Sequence, residues 1–143
     1  MAVAETWIAN KLLEDTAVAA VVSSRVYPVY APQNALFPFI TYQRVNTKRQ
    51  YTTSGSDSKP VGTFMVRVWD RVYSDCKGTA DLVRAALNKK QEALTFTGDD
   101  GEQTAYIRSS FLTDERDIDD FPPLGNETPY YGVELTFDIT FTE

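Results

Sequence analysis

Apolar and less apolar positions alternate along Thr63 to Asp70, with Phe64, Val66 and Val68 on one side. That period of two predicts a strand with one face on a core. At Tyr73 the period lengthens, and Cys76, Ala80, Val83 and Leu87 recur at helical spacing. Ser74 is the predicted N-cap, Asp75 suits the positive end of the helix, and Lys89 and Lys90 suit the carbonyl end. A second amphipathic helix is predicted over 3–13, with Ala4, Ile8 and Leu12 in one row and Trp7 beside it. A short helical piece follows over 17–22, capped by Asp15 or Thr16. Arg25 to Pro28 reads as extended chain that Pro28 confines to an edge or a bend.

A loop over 31–35 leads to Pro38, which opens a strand over 39–46. In it Ile40 and Tyr42 take one face, and Phe39, Thr41 and Val45 the other. Residues 47–60 are polar, the exposed tip of a hairpin that makes the flanking strands antiparallel. Leu94 to Phe96, the turn Asp99-Asp100-Gly101 and 104–112 read as a second hairpin. Residues 114–129 read as an acidic, proline-broken loop. Val133 to Phe141 is the cleanest alternation, five apolar side chains against four polar ones, and predicts an antiparallel strand wet on one side. The expected class is α+β: one domain over 1–143, a mostly antiparallel sheet with helices on one face and a long exposed β-hairpin.

A chain of 143 residues buries roughly 70% of its unfolded surface and needs no staple. Cys76, the only cysteine, lies on the apolar stripe and reads as a buried structural thiol. Histidine is absent, which excludes His-based triads and His-ligated metal sites. The seven glycines are dispersed, so no phosphate loop is present, and no two carboxylates stand out as an acid–base pair. The spacing of Asp114, Glu115, Asp117, Asp119 and Asp120, broken by Phe121-Pro122-Pro123, does not fit a calcium loop. The expectation is a protein that is not an enzyme and needs no cofactor or metal. The longest apolar run, Ala17 to Val22, is too short to span a membrane, and residues 1–4 lack a signal-peptide pattern; a soluble protein made in a cytoplasm is expected.

Charge changes the picture. Residues 1–98 carry 12 Lys and Arg against 8 Asp and Glu, whereas 99–143 carry 2 against 12. Arg44, Lys48, Arg49, Lys59, Arg67 and Arg71 fall on the first hairpin, among Tyr42, Tyr51 and Trp69. Three readings stand: a nucleic-acid-binding module using the basic hairpin 44–71, a solvated edge, or a protein interface that meets an acidic region of a neighbouring copy. Loops on a rigid scaffold carry recognition, so 29–37, 46–62 and 114–129 are the candidate contact segments. The candidate partner-contacting residues are Arg44, Lys48, Arg49, Tyr51 and Lys59 of the hairpin, with Asp117, Asp119 and Asp120 of the acidic loop.

Within residues 12–90 a small-residue helix leads to Arg25-Val26-Tyr27-Pro28, then Ala31-Pro32-Gln33, then Pro38-Phe39-Ile40-Thr41-Tyr42. A strand with Val66, Val68 and Trp69 then precedes an Ala-rich helix with Ala80, Val83, Ala85, Ala86 and Leu87. In this order and spacing, residues 12–90 resemble the tail-completion, or tail-terminator, proteins of long-tailed phages and prophages. The resemblance implies a structural virion protein at the head-proximal end of the tail. Members act as rings, usually hexameric, that end the tail tube or join it to the neck. The implied partners are further copies of the chain, the tail-tube protein and a neck or head-completion (stopper) protein. The resemblance further implies that genomic DNA passes through the lumen without specific binding and that no membrane is involved, and no catalytic residue carries over from it.

Overall fold

In the computed structural model the apolar stripes and alternations meet in one core. The structure describes residues 3–32, 34–49, 51–52, 55–56, 60–98, 101–118 and 130–142, with backbone only at 51–52, 55–56, 94–98 and 101–105. The elements in chain order are α1 (Val3–Glu14), α2 (Thr16–Val22), β1 (Val26–Pro28), β2 (Phe39–Lys48), β3 (Tyr51–Thr52), β4 (Gly55–Ser56), β5 (Val61–Asp70), α3 (Tyr73–Leu87), β6 (Lys90–Gly98), β7 (Gly101–Ile118) and β8 (Tyr131–Phe141). Six strands form one sheet in the order β1-β2-β5-β8-β7-β6, and β3 and β4 pair separately. Only β1 and β2 run parallel; every other neighbour is antiparallel. The expected α+β class is what the chain adopts.

Alternation decides the core. Phe64, Val66 and Val68 of β5 face the same side as Phe137, Leu135 and Val133, their register partners on β8. Ile40 continues that row on β2, and all seven are fully buried. The helices cover this face with Trp7, Ile8, Leu12, Val18, Val22, Cys76, Val83 and Leu87. Among the described residues no helix packs on the opposite face, and none is long and apolar enough to cross a membrane.

Local chemistry fixes the joints. Asp15 caps α2, its Oδ1 accepting from the N–H groups of Ala17 and Val18 at 3.0 Å. The predicted cap of α3 is corrected: Val72 occupies the N-cap position without a side-chain bond, and Ser74 lies inside the first turn. The buried Cys76, whose Sγ donates to the Val68 carbonyl at 3.3 Å, belongs to the turn that docks α3 on β5, so packing rather than capping sets that start. At the other end Ser110 Oγ donates to the Leu87 carbonyl at 2.7 Å, and Asn88 Oδ1 accepts from Leu112 N–H at 2.9 Å. These bonds tie the end of α3 to β7.

Two further expectations are corrected. Residues 114–118, read as the start of a loop, continue β7, because β8 offers a ladder from Asp114↔Thr136 to Ile118↔Gly132. Long-range pairing overrides the weak strand propensity of that acidic stretch. The polar side of β8 is less wet than its alternation implies: Glu134 is 6% exposed, since β8 is a central strand with neighbours on both sides.

Candidate assembly interface

The same alternation that builds the core divides the basic residues of the first hairpin. Arg44 shares the helix-facing row with Phe64, its register partner. Its Nε donates to Glu5 Oε1 at 2.5 Å and its Nη2 to Oε2 at 3.1 Å, a two-pronged pair with α1. Nη1 donates to Thr47 Oγ1 at 3.0 Å, and Cζ stands 5.2 Å from the rings of both Phe64 and Phe141. The charge of Arg44 is engaged within the chain. Arg67 lies on the opposite face, where Glu134 Oε2 is 3.5 Å from its Nε and 3.1 Å from Arg116 Nη2. One nearly buried carboxylate thus holds two guanidinium groups.

Lys48 and Arg49 are exposed at the far end of β2. Tyr51 takes its place in the short β3, and Lys59, Asp119 and Asp120 lie outside the described residues. Asp117 reaches α3: it accepts from Tyr73 Oη at 2.6 Å and pairs with Lys77 Nζ. Lys77 first, and Tyr73 after it, hold the Asp117 carboxyl below its ordinary value. Nearby, Glu115 lies 3.5 Å from Arg84 of α3. Among the described residues, Lys48 and Arg49 are exposed at the end of β2, whereas Arg44 and Asp117 reach helices.

What the structure gathers is an aromatic cluster on the helix-free face. Phe39 of β2 and Trp69 of β5 are register partners with ring centroids 6.4 Å apart. Tyr130 approaches Trp69 at 5.8 Å and Phe37 at 5.6 Å, and Phe37 lies 5.0 Å from Phe39. Tyr27 of β1 joins at 6.1 Å from Phe39, and Arg71 Cζ stands 4.5 Å from the Phe37 ring. Trp69 Nε1 donates to Thr41 Oγ1 at 3.2 Å, which fixes the indole. These rings are half-buried, their remaining surface on a sheet face without a helix. Trp, Tyr and Arg on such a surface are the residue types that dominate binding energy at protein interfaces. The clue in the sequence was phase: Phe39 and Trp69 fall on the polar parity of their strands.

Among the described residues the site holds no catalytic constellation. Cys76 is buried, and that burial, with the nearby Asp70 and Asp117 carboxylates, pushes its thiol up to about 11. Among the described residues no group of three Cys, Asp or Glu side chains is placed to hold a metal ion.

Comparison with known proteins gives a family and a likeness of fold. A family model described as "Tail completion protein gp17" matches residues 7–137. No curated protein sequence matches at a significant level. Among solved structures, a chain of the "Virion of native gene transfer agent (GTA) particle" superposes with a TM-score of 0.66 at 16% sequence identity, covering 95% of this chain and 92% of that one. At that identity the likeness is one of fold.

Proposed function

We propose a function on the premise that the chain belongs to the tail completion protein gp17 family, a family of structural virion proteins and not of enzymes. The chain is a structural protein of a phage-like tail. Its finer role, in this reading, is a ring at the head-proximal end that ends the tail tube or joins it to the neck, six-membered as in the resembling proteins, with DNA passing through the lumen. The observation that carries the reading is the helix-free sheet face with its cluster of Phe37, Phe39, Trp69, Tyr130 and Arg71. A partly exposed aromatic group beside an arginine is suited to burial against a protein neighbour.

The charge of that face supports passage of DNA rather than its capture. Arg67 and Arg116 are both opposed by Glu134, and Thr63, Thr136, Asp138 and Thr140 make up the rows beside them. Arg44, the remaining basic residue of the β2–β5 ladder below Lys48, faces Glu5. A nucleic-acid module needs unopposed positive charge along one surface, and alternation has dispersed it. Light scattering of the purified protein, alone and mixed with tail-tube protein, tests the proposal. A discrete ring-sized species in either sample is expected; a strict monomer in both overturns the ring.

A further inference from the structure

Five strands cross the sheet at each of two levels, but not the same five. Take the Lys48 end of β2 as up. At the lower level the order is β1-β2-β5-β8-β7, through the rows Pro28↔Tyr42, Tyr42↔Val66, Val66↔Leu135 and Leu135↔Glu115. At the upper level it is β2-β5-β8-β7-β6, through Thr47↔Gly62, Gly62↔Ile139, Ile139↔Ser110 and Ser110↔Lys90. Each edge of the sheet is therefore stepped by one strand.

Local chemistry makes both steps. Pro28 ends β1 and Val29, at φ 60°, turns the chain away, leaving an open groove of about 650 Å³ between the Tyr42–Arg44 stretch and α1. The Tyr42 carbonyl accepts from Val29 N–H at 2.8 Å, so by alternation the Arg44 backbone points the same way, where no described strand meets it. On the other edge Lys89, at φ 58°, turns the chain from α3 into β6, and Asn88 Oδ1 caps Leu112 N–H. Below that turn no described strand lies beside the exposed Asp114–Asp117 stretch of β7, which Arg84 and Lys77 hold from the helix side. Unpaired edges of this kind are templates for another chain.

The steps are complementary: one edge carries its extra strand, β1, below, and the other carries its extra strand, β6, above. We infer that neighbouring copies interlock through them, β6 of one copy lying above β1 and beside the open upper end of β2 in the next. β1 of that next copy then fills the step below β6, beside the open lower end of β7. Four antiparallel steps separate β2 from β6, so the two run the same way and pair as a parallel ladder between 44–48 and 90–93. The lower half packs by side chains, because Pro28 has no N–H and Val26 N–H is taken by the Ser24 carbonyl. There the acidic Asp114, Glu115 and Asp117 approach Arg25, whose guanidinium donates to the carbonyls of Pro38 and Val21. In the upper half Lys48 and Lys90 come close, a repulsion that salt screens. Resting on the ring reading above, the contact is head-to-tail; strands meeting at equal levels add no rise, which lets such a contact close instead of growing into a filament.

Cysteine pairs in the full chain test it, since facing residues of paired strands stand about 4.5–5.5 Å apart at Cβ, within reach of a disulfide. The row Lys48↔Val61, Val61↔Thr140, Thr140↔Ser109 sets Lys48 level with Gln91, which lies between the partners of Ser110 and Ile107. Both are exposed, as is Ala93, the next position on the same face of β6, and Cys76 is buried away from them. Protein carrying Lys48→Cys with Gln91→Cys or with Ala93→Cys, oxidised with salt added, is expected to give a ladder of disulfide-linked multimers that ends at the ring. At least one of the two should form it about tenfold or more faster than Lys48→Cys with Asp114→Cys, since Asp114 belongs to the lower row of Thr136. Circular dichroism of the reduced variants checks that each is folded. No ladder from either matched pair while light scattering shows a ring, or an equally fast ladder from the mismatched pair, overturns the interlock. A parent that stays monomeric with and without tail-tube protein overturns the ring reading itself.

Discussion

Replacing Arg44 by alanine separates a structural charge from an assembling one. Its guanidinium makes two bonds to Glu5, one to Thr47, and lies 5.2 Å from two ring centroids. The pair ties α1 to β2 with side chains 29% and 20% exposed, so solvent screens it only in part. Charged hydrogen bonds contribute about 1.5–3 kcal/mol, and partly exposed cation–ring contacts about 0.5–1. Allowing for screening, Arg44→Ala is expected to cost about 2–3 kcal/mol, or roughly 5–10 °C in Tm for a chain of this size. Urea unfolding of Arg44→Ala, Glu5→Gln and the double variant measures it, and the cycle should return a coupling of about 1–2 kcal/mol. Protein that remains folded should assemble as the parent does. A loss under about 0.5 kcal/mol, or additive single effects, refutes the reasoning and returns Arg44 to the partner-facing set.

Two further outcomes follow from the core and the aromatic face. Cys76 has its thiol pushed up to about 11 by burial first; a folded value above the unfolded one leaves stability intact below about 9 and erodes it as pH climbs toward 11. Dithionitrobenzoate should therefore not label the native protein at pH 8, and rapid native labelling contradicts the packing. Gly132→Ala places a Cβ 2.8 Å from the Trp69 ring and 2.9 Å from Ile118 Cδ1. It should cost about 1–3 kcal/mol by overpacking and alter the near-ultraviolet dichroism of Trp69, whereas an unchanged spectrum and midpoint would show that the cluster gives way freely.

The accuracy of the sequence reading depended on how local each question was. β2, β5, α3 and β8 were legible because each carries its period in consecutive residues, and α2 was legible with Asp15 as one of its two cap candidates. Residues 114–118 were not, since their acidic composition argues for a loop and only the ladder with β8 makes them a strand. The basic hairpin looked like one patch because proximity in sequence hides parity: Arg44 and Arg67 leave adjacent strands on opposite faces. The aromatic cluster was invisible for the converse reason, as Tyr27, Phe37, Phe39, Trp69 and Tyr130 come from distant parts of the chain.

By itself, the order of apolar and polar residues determined that this protein has one-sided helices and strands, hence an α+β core, and that it lacks the histidines and glycine loops of common chemistry. Only the tertiary structure decided which strands became neighbours and which carboxylate met which guanidinium. The physical reason is that a period tells a residue its face but not its partner. Pairing comes from burying those faces together, and that is settled by the whole chain at once.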